Sequence, residues 1–75
     1  MAQQRVDLIA GIPKTVNSVL AFQNTSGYDS IWWEKGLTFS KDKAYMTQHK
    51  EKEIGLGSID ITFYSDTNCK ITVEV

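Results

Sequence analysis

The chain ends with Ile59-Asp60-Ile61-Thr62-Phe63-Tyr64, then Ser65-Asp66-Thr67-Asn68, then Cys69-Lys70-Ile71-Thr72-Val73-Glu74-Val75. In the first segment Ile59, Ile61 and Phe63 alternate with Asp60, Thr62 and Tyr64; in the last, Ile71, Val73 and Val75 alternate with Lys70, Thr72 and Glu74. Successive side chains of a strand point to opposite faces, so a period of two predicts strands with one buried and one wet face. The turn formers Ser65 to Asn68 predict that the two strands form a β-hairpin, with Asp60 across from Lys70 or Glu74 on the wet face. The final strand is expected at a sheet edge or paired with another subunit.

Upstream, the pattern repeats in shorter pieces. Ile54-Gly55-Leu56-Gly57 carries two glycines, which suit a bulge or a corner between sheets. His49 to Glu53 is a run of charged and polar residues that reads as a solvated loop tip. Ala44 to Gln48 reads as a strand with Ala44 and Met46 on one face. Leu37-Thr38-Phe39, just after the turn signal Lys35-Gly36, reads as the return strand of a hairpin.

Tyr28-Asp29-Ser30-Ile31-Trp32-Trp33-Glu34 contains both tryptophans of the protein, side by side. In a strand they point to opposite faces, so only one can enter the core. Ile31 and Trp33 are assigned inward; Tyr28, Ser30, Trp32 and Glu34 then share the outer face. Asn24 to Gly27 is a cluster of turn formers.

Thr15 to Phe22 supports two readings. Its β-branched residues favour a strand, the preferred assignment. Pro13 near a first helical position, with Val16, Val19 and Leu20 at i, i+3, i+4, would suit a short helix at about 13–22. Arg5 to Ala10 is a strand that Gly11-Ile12-Pro13 breaks. The expectation is one domain over residues 1–75, all-β or β-rich with that one short helix. It is a small antiparallel sandwich or barrel of about six or seven short strands. The expected core is Val6, Leu8, Leu20, Phe22, Ile31, Trp33, Leu37, Phe39, Met46, Ile59, Ile61, Phe63, Ile71 and Val73.

Composition narrows the function. Seventy-five residues are few for a self-sufficient core, and a single cysteine allows no intrachain disulfide. Self-association is therefore expected, a homo-oligomer being the simplest form. Eight Lys/Arg against nine Asp/Glu argue against a general nucleic-acid surface. No apolar run could span a bilayer, and the first residues lack a signal-peptide pattern, so a cytoplasmic location is expected, although a mature secreted protein with a start Met would read the same.

No catalytic, cofactor or metal constellation emerges. His49 is the only histidine and sits in a charge run, too little for a triad or a zinc site. Asp29 and Glu34 as a glycosidase acid pair would need a cleft that so short a chain rarely encloses. Cys69 has no evident neighbour to lower its pKa and reads as a half-buried structural thiol. Lys41, Lys43, Lys50 and Lys52 around Tyr45 could contact phosphates, but Asp42, Glu51 and Glu53 neutralise them. Asn24-Thr25-Ser26 matches a glycosylation acceptor and reads more simply as a turn.

The remaining candidate binding residues are Tyr28, Asp29, Trp32 and Glu34. Aromatic plates beside a carboxylate suit a protein partner, the leading expectation, where Trp and Tyr anchor interfaces. They also suit a glycan, the lectin-like runner-up, whose C–H faces stack on a ring. The plain alternative is that Trp32 packs under a loop or against the second sheet.

Overall fold

A computed structural model describes residues 2–28 and 30–75. Eight strands follow in order: β1 (Gln3–Leu8), β2 (Lys14–Val19), β3 (Ala21–Gln23), β4 (Ser30–Lys35), β5 (Tyr45–Gln48), β6 (Lys52–Glu53), β7 (Ile59–Tyr64) and β8 (Cys69–Glu74). They form two antiparallel four-stranded sheets, β1-β8-β3-β6 and β2-β7-β4-β5. The described residues contain no helix, so none is long and apolar enough to cross a membrane.

The strand order has a simple logic. β1 pairs with β8, β2 with β7, β3 with β6 and β4 with β5, as if one long antiparallel ribbon had been closed at the β4–β5 end. Wrapping that ribbon places β8 beside β3 and β7 beside β4, which completes the two sheets. This is the double-sheet jelly roll. Only β4 and β5 are consecutive within a sheet; every other connection crosses to the opposite sheet.

That topology overturns the hairpin expected in the last third. β7 and β8 are strands, with the faces the alternation assigned, but they lie in different sheets. Ser65 to Asn68 therefore makes a corner rather than a tight turn. Buried Ser65 accepts the Thr67 N–H at 3.1 Å, and its carbonyl takes the Gly11 N–H at 2.9 Å. Lys70 faces Asp7 of β1 at 3.7 Å, not Asp60. β8 is interior to its sheet, between β1 and β3, so it is not an edge strand.

Thr15 to Phe22 is extended rather than helical, and it is two strands. A register shift between Val16 and Val19, with Ser18 at φ +58°, inserts a bulge in β2. Asp60 Oδ1 accepts the Ser18 N–H at 3.1 Å and holds this turn. The bulge changes the parity, so Val16 and Val19 both enter the core despite being three residues apart. The helix-like spacing was the mark of a bulged strand. Leu20 then carries the chain to the other sheet, where Phe22 is buried.

The core joins Val6, Leu8, Phe22, Ile71 and Val73 of the first sheet to Val16, Val19, Ile31, Trp33, Ile61 and Phe63 of the second. Phe22 meets the rings of Trp33 and Phe63 edge-on, at 5.1 and 4.9 Å between centroids. Five expected core members are not fully buried. Leu37 is 68% exposed, Met46 is 54% exposed, and Phe39 is only partly buried. Leu20 and Ile59 are also only partly buried. Residues 37–39 form no strand: Gly36 adopts φ +107°, which favours glycine, and turns the chain out of the ladder. The hairpin partner of β4 is instead β5, reached after residues 36–44 have folded over the sheet. In β5 it is Thr47, opposite Ile31, that turns inward and is buried.

Asn24 closes one end of the sandwich. It is fully buried; its Nδ2 donates to the Thr47 carbonyl at 3.0 Å, and its Oδ1 accepts from the Ser26 N–H and hydroxyl. Its backbone N–H donates to the Glu51 carbonyl and its carbonyl accepts from the Lys50 N–H. The turn reading of Asn24-Thr25-Ser26 holds, and a side-chain nitrogen committed in this way is not presented for glycosylation.

Candidate binding face

Ile31 and Trp33 point into the core and Trp32 points out, as period two requires. The outward position places Trp32 between two cross-strand neighbours, Met46 on β5 and Tyr64 on β7. Cross-strand pairs on one face are in contact range, and here the pair is aromatic. The Trp32 and Tyr64 rings meet at 67°, with centroids 6.0 Å apart. Sequence alternation had placed Tyr64 on the wet face, but the neighbour it acquires depends on strand order.

Residues 36–44 form a flap over this face. Gly36 donates its N–H to the Asp60 carbonyl at 2.7 Å, and its carbonyl accepts from Thr62 Oγ1 at 2.9 Å. Glu34 Oε1 accepts the Ser40 N–H at 2.6 Å, a charge-assisted bond across the base of the flap. Phe39 stacks on Tyr64, with 4.9 Å between centroids and 10° between planes. Lys41 extends its ammonium over Trp32, 4.1 Å from the centroid, and lies 5.4 Å from that of Tyr64. Asp66 holds the same ammonium at 3.5 Å. The flap explains why Thr62, on the outer side of its strand, is nevertheless buried.

The residues expected to cluster are thus separated in role. Trp32 belongs to the face, in part packed under the flap as the plain alternative proposed. Glu34 is on the same side, but its carboxylate is occupied in holding the flap. Tyr28 is exposed in the turn before β4, its N–H donated to Ser26 Oγ, and no ring contact joins it to Trp32. Asp29 lies outside the described residues. Sequence reasoning missed Tyr64, Phe39, Lys41 and Met46 as members of one surface.

Comparison with protein-family models, curated proteins and solved structures yields no match.

The other chemical candidates are scattered. His49 is exposed in the β5–β6 turn. Cys69 is partly buried, its thiol donating to Ser65 Oγ at 3.4 Å. Among the described residues no three His, Cys, Asp or Glu side chains come together as metal ligands. What the outer face of the second sheet can do chemically is bury apolar and aromatic area against something else. Met46, 54% exposed, carries that face to solvent at the β5 edge, while Tyr45 packs at its rim against the core-facing Trp33 ring, 4.9 Å between centroids.

Proposed function

We propose that this chain is a small non-catalytic binding module that acts by protein–protein contact, as an inhibitor or accessory factor that occupies a partner's surface. The observation that carries the reading is the row Met46–Trp32–Tyr64, extended by Phe39, on the outer face of β5, β4 and β7. A jelly roll needs its inner faces apolar; nothing in its core requires two aromatic rings and a methionine outside. Aromatic residues and methionine are the types enriched in the cores of protein interfaces. The rings are already ordered by one another and by Lys41, so binding loses little side-chain freedom.

A glycan fits this face less well. Sugar recognition needs an open ring face and free acceptors beside it, whereas Lys41 stands over the Trp32 ring and Glu34 is tied to Ser40. The occupant favoured is a protein presenting an apolar patch.

The test uses the intact chain and its Met46→Glu variant as paired baits in a source-cell lysate, with parallel elution by free sugars. Met46 is on the solvent side, so the substitution leaves the core untouched. A stoichiometric partner retained by the native bait, lost with Met46→Glu and indifferent to sugar supports the reading. Equal retention by both baits, or release by a sugar, overturns it.

A further inference from the structure

Two sheets of four strands leave four edges, and three of them are blunted. β6 has two residues, β5 has four, and β2 is broken by its bulge at Ser18. Short strands and bulges are how proteins keep edges from pairing. β1 is different: six residues in unbroken register with β8, from Gln3↔Glu74 to Leu8↔Cys69. Beyond β1 lies an open groove toward β2, with Val6 and Val16 among its lining residues.

The hydrogen-bond phase of this edge follows from its first rung. Ala2 and Val75 exchange both backbone bonds, at 3.0 and 2.9 Å. In an antiparallel ladder such pairs alternate with pairs that exchange none. Gln4, Val6 and Leu8 therefore bond to β8, and Gln3, Arg5 and Asp7 direct their N–H and C=O groups to the free side. Arg5 and Asp7 are also the charged residues of the strand, both exposed.

We infer that β1 pairs antiparallel with β1 of a second copy of this chain, about a twofold axis at Val6, joining the first sheets of two copies into one continuous sheet. In this register Arg5 faces the partner's Asp7 and Asp7 faces the partner's Arg5. These are the residues whose backbone groups point outward, so each such pair exchanges both backbone bonds. Val6, inward-facing, meets its own symmetry mate and extends the core across the junction. Slipping the register by two residues puts Arg5 against Arg5 or Asp7 against Asp7, and like charges directly opposite are unfavourable. Slipping by one presents the wrong backbone groups and turns the apolar face outward. The charges that would repel most strands from this edge thus select one partner, the same strand reversed. A symmetric contact of this kind is the commonest closed oligomer.

Sedimentation equilibrium of the intact chain across a concentration series tests this, with circular dichroism as a check on folding. The expected result is a monomer–dimer equilibrium. Arg5→Glu should weaken dimerisation by at least about tenfold, because the twofold axis counts each altered pair twice. Asp7→Arg should act likewise, and the exchanged double variant Arg5→Asp with Asp7→Arg should dimerise as the native chain does. Arg5→Pro removes an outward N–H that the fold itself does not use, and should leave a folded monomer. A native chain monomeric throughout the series, or a dimer indifferent to the single charge reversals, would overturn the proposal.

Discussion

The two outer faces of this sandwich are built on the same architecture and carry opposite chemistry. On the first sheet Arg5, Thr72 and Gln23 lie side by side across β1, β8 and β3, flanked by Asp7 and Lys70. On the second, Met46, Trp32 and Tyr64 occupy the corresponding row across β5, β4 and β7. The polar face is what solvation of a half-buried sheet requires. The aromatic face is what solvation does not require, and it has been partly covered by a flap that its own hairpin supplies. The contrast separates what holds the fold from what the fold displays, and substitutions on either side of β4 measure the boundary.

The largest effect belongs to the inner face. Trp33→Ala, at a position 5% exposed, should cost about 3–5 kcal/mol in chemical denaturation, the range for deleting a buried large aromatic. That is comparable to the whole stability expected of a chain this size, about 4–11 kcal/mol. Asn24→Ala comes next, at about 2–3 kcal/mol, because it strands the buried Thr47 carbonyl along with the Ser26 donors. Trp32→Ala, one residue from Trp33, should cost only about 1–2.5 kcal/mol, the sum of one aromatic pair and one exposed cation–π contact. If both tryptophans proved equally costly, Trp32 would be a core residue and the proposed binding face would fall.

The faces of β4, β7 and β8 were legible because each strand alternates without interruption. Hidden from the sequence was everything that depends on partners distant along the chain. Ser65 to Asn68 has the composition of a hairpin turn, yet the choice between a turn and a corner is made by β2 and β3, to which β7 and β8 separately pair. Val16 and Val19 looked helical because a bulge and a helix both put residues three apart on one side. Leu37 and Phe39 looked like a strand because apolar alternation does not distinguish a sheet from a flap laid upon one; only Gly36 marked the departure. The proposed face was half visible. Trp32 was found, but Tyr64, Phe39 and Lys41 reach it by strand order and flap closure, neither of which leaves a local signature. Glu34 offers the sequence reader a free carboxylate, and the flap consumes it.

Smaller substitutions sharpen the same contrast. Glu34→Gln should cost about 0.5–1 kcal/mol by turning a charge-assisted bond into a neutral one. Its more specific sign is faster amide hydrogen exchange at Ser40, with exchange at Trp33 unchanged, since only the flap is released.

The least effect is expected on the polar face. Lys70 and Asp7 stand 3.7 Å apart with both side chains largely exposed, so their attraction acts through water and is offset by the ordering of two mobile chains. Lys70→Ala in the monomeric Arg5→Pro background should change stability by less than about 0.5 kcal/mol, an effect that salt further reduces. A loss matching that of Trp32→Ala would mean that the first sheet's outer face also carries packing energy. The difference between a face that is merely solvated and one that is displayed would then lie in residue type alone, not in how tightly each is bound to the fold.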